Sequence, residues 1–263
     1  MSFREPTTLG RTGLQVGRLG IGAGYGVPAV AVERAYREYG VNYLYWSLRK
    51  RTGMTQAIRT LAPTERDKLV IAMQTYDHTG WFMRRYHEKA LRTLGIDYAD
   101  VLILGWFNSY PKGRVLDTAL ELRERGLVRH LAMSGHNRPT HGEVARRTDS
   151  PIDILMVRYN AAHRGAEQDV FPHLPATNPP GVTTYTATRW GQLLKAKKMP
   201  KGEAPLSAAD CYRFALSNPH VDLCMSGPKN DHEMDEALRA LEAGPLSDEE
   251  LERVRRIGDF VHG

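Results

Sequence analysis

The sequence predicts a (β/α)8 TIM barrel with an N-terminal β-hairpin and a C-terminal extra helix. Three observations carry that reading. Eight short, β-rich apolar runs recur along the 263 residues, stretches of helical period lie between them, and no Pro/Ser-rich linker or shift of composition divides the chain. Eight β-then-α units in this length suit a closed barrel better than a doubly wound sheet, so residues 1–263 are expected to form one barrel domain.

The opening TTLGRTGLQV (7–16) has apolar residues on both sides of a Gly-Arg-Thr-Gly turn and reads as a short hairpin ahead of the barrel. The eight runs follow: LQVGRLGIGA (14–23), VNYLYWS (41–47), KLVIAMQT (68–75), ADVLILGW (99–106), VRHLAMSG (128–135), DILMVRY (153–159), GVTTYTAT (181–188) and HVDLCMSG (220–227). Several are almost continuously apolar, as parallel strands buried on both faces are. Helical faces appear between them: Tyr86, Ala90, Leu91 and Leu94; Val115, Ala119 and Leu122; Met234, Leu238 and Leu241. Pro28 marks the first helix start and Ser207 the seventh, while Gly40, Gly95 and Gly126 fall where helix C-caps belong. In the final PLSDEELERVRRIGDFVHG, Ser247 with Glu250 makes a capping box for the extra helix.

Composition narrows the function classes. Hydrophobic residues make up 41% and charged residues 25%, so the chain folds around a core. The balance of 36 Lys+Arg against 30 Asp+Glu gives +6, which favours anionic small molecules or phosphates as partners. Nucleic acid is not expected: cations come in scattered pairs such as Arg84 and Arg85 or Arg255 and Arg256, and no zinc, homeodomain or aromatic-plus-basic motif accompanies them. Cys211 and Cys224 are the only cysteines and form no CxxC or Cys/His cluster, so neither a disulfide framework nor a metal site is expected. The N-terminus lacks an apolar signal core and no run approaches the length of a membrane span; a cytoplasmic protein without a membrane partner is the expectation.

Chemistry in such barrels sits where strands end. The eighth run ends CMSGPKN and leads straight into a helical stretch, so Gly227, the following helix N-terminus and Lys229 read as a phosphate cradle. The glycines of GIGAGYG (20–26) do not make a GxGxxG turn and read as room for a cofactor or a tight bend. Near the strand ends, Trp46, Trp106, Phe107, Tyr185 and Trp190 are candidates to stack on a planar cofactor or wall a pocket, and Asn108 and His136 fall in the same loops. Trp46, Trp106, Asn108 and His136 are the expected substrate pocket. Tyr45 places a phenol at the end of the second run, and Arg49, Lys50 and Arg51 just after it would lower its pKa by favouring phenolate. His163 and Tyr76 are further candidates for proton transfer.

Together these segments resemble the aldo-keto reductases. The resemblance is carried by TTLGRTGLQVGRLGIGAG (7–24), GVN (40–42), LRTLGIDYADVLIL (91–104), ERGLVRHLAMSGHN (124–137), GVTTYTATRWGQLL (181–194) and SGPKNDHEMDEALRAL (226–241), in the family's order over nearly the whole chain. It implies NADP(H) extended across the C-terminal face of the barrel and hydride transfer to or from the carbonyl of a small molecule. It also implies that Ser134 holds the carboxamide, Tyr185 stacks on the nicotinamide, Arg189 lies near the pyrophosphate, and Ser226, Gly227 and Lys229 face the adenosine 2′-phosphate end, with Lys229 favouring NADP over NAD.

The departures concern the chemistry. Where the resemblance places the family's Asp, Tyr, Lys and His, this chain has Tyr45, Lys50, Gln74 and Gly105. Cofactor positions differ too: Gly135 and Met156 stand for the family's Asn and Gln, and Glu233 and Ala237 for its helix 8 Gln and Asn. Three functions therefore stand: an NADP-dependent oxidoreductase with a displaced acid at Tyr45 or Lys50, an NADP-binding protein or partner subunit without catalysis, or a barrel enzyme of another class such as a lyase or isomerase.

Overall fold

The computed structural model describes residues 2–46 and 49–262. The run 41–47 ends on Ser47, which lies outside them. Strands β1 (Thr7–Thr8) and β2 (Gln15–Val16) pair antiparallel around a 3-10 turn at Gly10–Thr12, as the hairpin reading expects. Eight parallel strands then close a barrel: β3 (Leu19–Gly22), β4 (Tyr43–Trp46), β5 (Val70–Thr75), β6 (Ala99–Leu104), β7 (Val128–Ser134), β8 (Ile152–Arg158), β9 (Gly181–Tyr185) and β10 (Leu223–Ser226), with β10 returning to β3. The run 14–23 holds both β2 and β3. Gly17 stands between them, where a Cβ would meet the Gly40 carbonyl oxygen at 2.6 Å.

The connecting helices are α1 (Ala29–Tyr39), α2 (Thr52–Glu65), α3 (Met83–Leu94), α4 (Arg114–Glu124), α5 (Arg138–Arg146), the single turn α6 (Ala166–Asp169), α7 (Ala208–Leu216) and α8 (Asp231–Ala243), with α9 (Asp248–His262) as the extra helix. Gly40 and Gly95 cap α1 and α3 in the left-handed conformation, and Gly126 adopts φ 70 one residue beyond the C-cap of α4. Ser207 opens α7 through a capping box with Asp210, and Ser247 and Glu250 bond reciprocally at the start of α9. One helical face differs from expectation. Tyr86 is exposed, and α3 buries Met83, His87, Ala90, Leu91 and Leu94 instead, so the stripe runs one position round from the one the aromatic suggested.

Two apolar layers follow from strand alternation. Leu44, Ile71, Leu102, Leu131 and Leu155 face outward into the shell of helices. Tyr43, Val70, Ala72, Val101, Ile103, Ala132, Ile154, Met156, Leu223 and Met225 fill the barrel, and Leu9 and Val16 of the hairpin segment plug its N-terminal end. The interior is therefore packed, and its chemistry is confined to the C-terminal rim.

Candidate active site at the C-terminal rim

Continuing the interior register upward brings five polar side chains to the rim: Tyr45 (β4), Gln74 (β5), Ser134 (β7), Arg158 (β8) and Tyr185 (β9). Gln74 is their hub. Its Oε1 accepts from the Tyr45 hydroxyl and, at 3.1 Å, from the Tyr76 hydroxyl, while its Nε2 donates to Ser134 Oγ at 3.3 Å. Gly105 makes this possible, because a Cβ there would collide with Gln74 Nε2. The amide thus fills the space a side chain at 105 would take.

The expectation that cations depress the Tyr45 pKa is not met. Burial pushes the phenol well above its ordinary value, and its neighbours Tyr76 and Tyr43 push the same way. Lys50, at φ 45, lays its methylenes within 3.6 Å of where a Gly26 Cβ would stand, and Arg51 stacks over the Trp46 ring at 4.2 Å from its centroid. Among the described residues, no cation figures in the influences on the phenol. Trp46 is buried and donates from Nε1 to Thr55 Oγ1 at 2.9 Å. It also lines a cavity of about 750 Å3 that runs from Gln74 and Tyr76 past Met83, His87 and Ala90 of α3 on the helix side of the strands, and Trp106, Asn108 and His136 do not line it.

Trp106 is 62% exposed at φ 63, with its ring 4.8 Å from that of Tyr76. Asn108 is occupied structurally. Its Oδ1 accepts from the His136 and Asn137 backbone N–H groups at 2.8 and 3.1 Å and so ties two rim loops together. Tyr185 donates to the Gly135 carbonyl at 3.1 Å, its hydroxyl lies 3.4 Å from His136 Nδ1, and burial pushes its pKa up to about 12.

Arg158 falls among the strand-end positions where chemistry is expected, but no role is assigned to it from the sequence. It is the register partner of Tyr185, and its Nε is buried with no hydrogen-bond partner. Its parity with Ile154 and Met156 in DILMVRY was the available signal, an interior-facing cation at the end of an apolar strand.

His136 and His163 both lie in this positive field. Burial, then Arg158, lowers each of them, and for His163 the additional fields of Arg189, His262 and Arg138 bring the pKa down to about 4. The unfolded chain therefore binds the His163 proton more readily between about pH 6.5 and pH 4, and stability is expected to fall as pH drops through that window. A ring-proton NMR titration in which His163 titrates near its ordinary value would contradict this.

At β10 the Ser226 hydroxyl donates to the Gly20 carbonyl at 2.9 Å, and the Tyr25 ring lies 2.6 Å from where a Gly227 Cβ would stand. The Lys229 ammonium pairs with Glu233 at 2.7 Å, and the Lys229 N–H donates to the same carboxylate at 3.0 Å. Asn230 caps α8 by accepting from the Glu233 N–H at 2.9 Å. Arg189, at φ 49, donates to the His262 carbonyl at 3.3 Å. Among the described residues no group of three or more His, Cys, Asp or Glu side chains is placed to hold a metal ion, and no helix is long and apolar enough to cross a membrane.

Comparison with known proteins places this architecture. An aldo/keto reductase of Klebsiella pneumoniae in complex with NADP and acetate superposes with a TM-score of 0.77 at 20% identity, covering 97% of this chain and 96% of that one. A second Klebsiella pneumoniae aldo-keto reductase structure, in complex with NADPH, scores 0.76 at 21% identity over 97% and 95% of the two chains. The holo form of an aldo-keto reductase from Bacillus halodurans scores 0.76 at 20% identity over 96% of each. No match is found among curated proteins. The model of the Aldo/keto reductase family matches residues 31–207, about two thirds of the sequence, and the chain belongs to that family.

Proposed function

We propose that the chain is an NADP(H)-dependent oxidoreductase of carbonyls or alcohols with a non-standard active site. The observation that carries this is the juxtaposition, on one rim, of the Tyr185 ring, the buried Ser134 hydroxyl and a basic strand-to-helix loop at Gly227 and Lys229. These residues fit the cofactor that structural relatives hold. Ser134 accepts from Gln74 and keeps its own O–H for a carboxamide oxygen. Tyr25 is 55% exposed, so its ring can swing off Gly227, and the Lys229 ammonium is held only by a surface carboxylate. The family's Asn does not fit at 135, where a Cβ would run into the Phe107 carbonyl. Bound across this rim, the dihydronicotinamide supplies a hydride.

In this reading the positions that hold the usual acid and its partners are Tyr45, Lys50, Gln74 and Gly105, and the chain must deliver its proton differently. Tyr45 does so as a neutral phenol, kept protonated by burial and oriented by Gln74. Tyr76, which donates to the same acceptor, keeps Gln74 Oε1 bonded when Tyr45 turns to the alkoxide. Because the Tyr45 pKa is raised, the acid form persists above the ordinary phenol range, and reduction should show no loss from its ionisation up to about pH 9.

Fluorescence titration with NADPH tests binding, and a carbonyl panel followed by nicotinamide absorbance tests turnover. Tyr45→Phe is expected to slow turnover about tenfold with NADPH affinity unchanged. An unchanged rate removes Tyr45 as the acid, and no binding at millimolar NADPH defeats the whole reading. A second reading, cofactor binding without catalysis, draws support from the same Gln74 bond, since it engages the phenol that would have to act. Binding without turnover on any carbonyl would favour it.

A further inference from the structure

We infer that Arg158 anchors a carboxylate carried by the carbonyl substrate. The inference rests on the oxidoreductase reading for where the reacting carbon lies, and on Arg158 itself for the anion.

Arg158 follows Ile154 and Met156 on the interior face of β8 and ends that strand at the rim. Four other partly buried arginines pair with a carboxylate, Arg11 with Asp153, Arg66 with Asp100, Arg213 with Glu250 and Arg255 with Glu167, and Arg18, whose Nε is likewise buried without a partner, donates to the Leu216 and Val221 carbonyls. Among the described residues no carboxylate pairs with Arg158, and its buried Nε has no hydrogen-bond partner. A guanidinium taken partly out of water without acceptors is costly unless a ligand supplies them. Its neighbours cannot do so as anions, because His136, His163 and Tyr185 are neutral groups in its field.

The charge count selects the ligand. Arg138 is paired with Asp169, and Arg189 donates to a backbone carbonyl, which leaves Arg158, among the described residues, as the cation on this side of the rim that lacks an acceptor. One planar fork matches a monoanionic carboxylate through two parallel N–H···O bonds, whereas a phosphate dianion is better met at the Lys229 loop. Since Arg158 pairs in register with Tyr185, a carboxylate held there places a carbonyl a few bonds away beside the Tyr185 ring. The substrate class is therefore an oxo acid rather than a neutral aldehyde or ketone.

The full chain, with and without NADP+, is titrated with 2-oxobutanoate, 2-oxooctanoate and benzoylformate, with 2-butanone and inorganic phosphate as controls. Calorimetry gives affinity, and the His136 and His163 ring signals report whether the anion reaches Arg158. At least one oxo acid is expected to bind wild type tenfold or more tightly than Arg158→Met, with Arg158→Lys between them and 2-butanone indifferent to the change. Arg158→Met removes a partly buried charge from an apolar strand, so its melting temperature should match or exceed wild type. Equal oxo-acid binding by wild type and Arg158→Met, no oxo-acid binding by wild type, or dependence on Arg158 for phosphate alone would each overturn the inference. NADPH affinity measured on the same proteins separates it from the oxidoreductase reading. NADPH bound alike by both proteins, with oxo acids bound alike too, sinks only Arg158, while an Arg158-dependent oxo acid without NADPH binding sinks only the oxidoreductase.

Discussion

Replacing Asp100 by Ala is expected to cost about 3–5 kcal/mol of folding stability. Asp100 sits at the second position of β6 and is 1% exposed. It accepts from the Ile71 backbone N–H at 2.8 Å and from Arg66 at 2.9 Å, with Arg129 at 3.5 Å, and both guanidinium groups lie over the Tyr98 ring. Burial pushes its carboxyl above the usual range, and Arg66, the Ile71 N–H and Arg129 work against that push without overcoming it. Alanine leaves the Ile71 N–H without an acceptor and Arg66, whose side chain is 16% exposed, without a counter-charge and with only the Leu69 and Tyr98 carbonyls as partners; Arg129, 46% exposed, turns to water. Asp100→Asn keeps an acceptor for Ile71 and should cost only about 1–2 kcal/mol. Urea unfolding measures both as midpoint shifts at constant slope. A loss under about 1 kcal/mol for Asp100→Ala would mean that the cations, not the carboxylate, organise this corner.

That corner also shows why parts of the site were hidden in the sequence. The barrel was legible because its strands, buried on both faces, leave apolar runs that ordinary loops do not. The same property conceals which face each residue takes. ADVLIL reads as one hydrophobic run, although Asp100 points to a cation pair outside and Val101 into the barrel. DILMVRY likewise shows that Arg158 shares a face with Ile154 and Met156 but not that this face is the interior one. Gln74, Ser134, Arg158 and Tyr185 all stand at strand ends, which needs only a boundary to read, but roles for Ser134 and Tyr185 came with the family resemblance. The Gln74 hub was not legible, because its partners come from β4, β7 and the loop after β5, and no local pattern joins Tyr45, Tyr76 and Ser134. Loop residues fared worst. Asn108 looked like pocket lining and serves as a loop tie, and Lys50 is directed by a left-handed backbone that strand alternation cannot foresee.

Lys229→Met is expected to weaken NADPH binding about 10- to 100-fold, equivalent to roughly 1.5–3 kcal/mol for a charged hydrogen bond, while NADH binding changes little. The proposed phosphate contact must compete with Glu233, whose carboxylate holds the Lys229 ammonium at 2.7 Å. That bond is a weak rival. The Lys229 side chain is 62% exposed and its pair spans a single helical turn, a geometry worth at most about 1 kcal/mol in water. Burial pushes the Glu233 carboxyl up, but the Lys229 ammonium and backbone N–H together bring it below its ordinary value, so it is ionised at neutral pH and repels any phosphate that enters. Glu233→Gln removes that repulsion and should tighten NADPH a few-fold, the opposite direction from Lys229→Met. Fluorescence titration of both variants with NADPH and NADH, repeated at raised salt, measures the pair. Equal losses for NADPH and NADH in Lys229→Met would place the 2′-phosphate elsewhere on the rim. A Glu233→Gln variant that binds NADPH more weakly would instead make Glu233 a ligand of the cofactor's sugar, since each of its oxygens accepts one bond from Lys229 and can accept another.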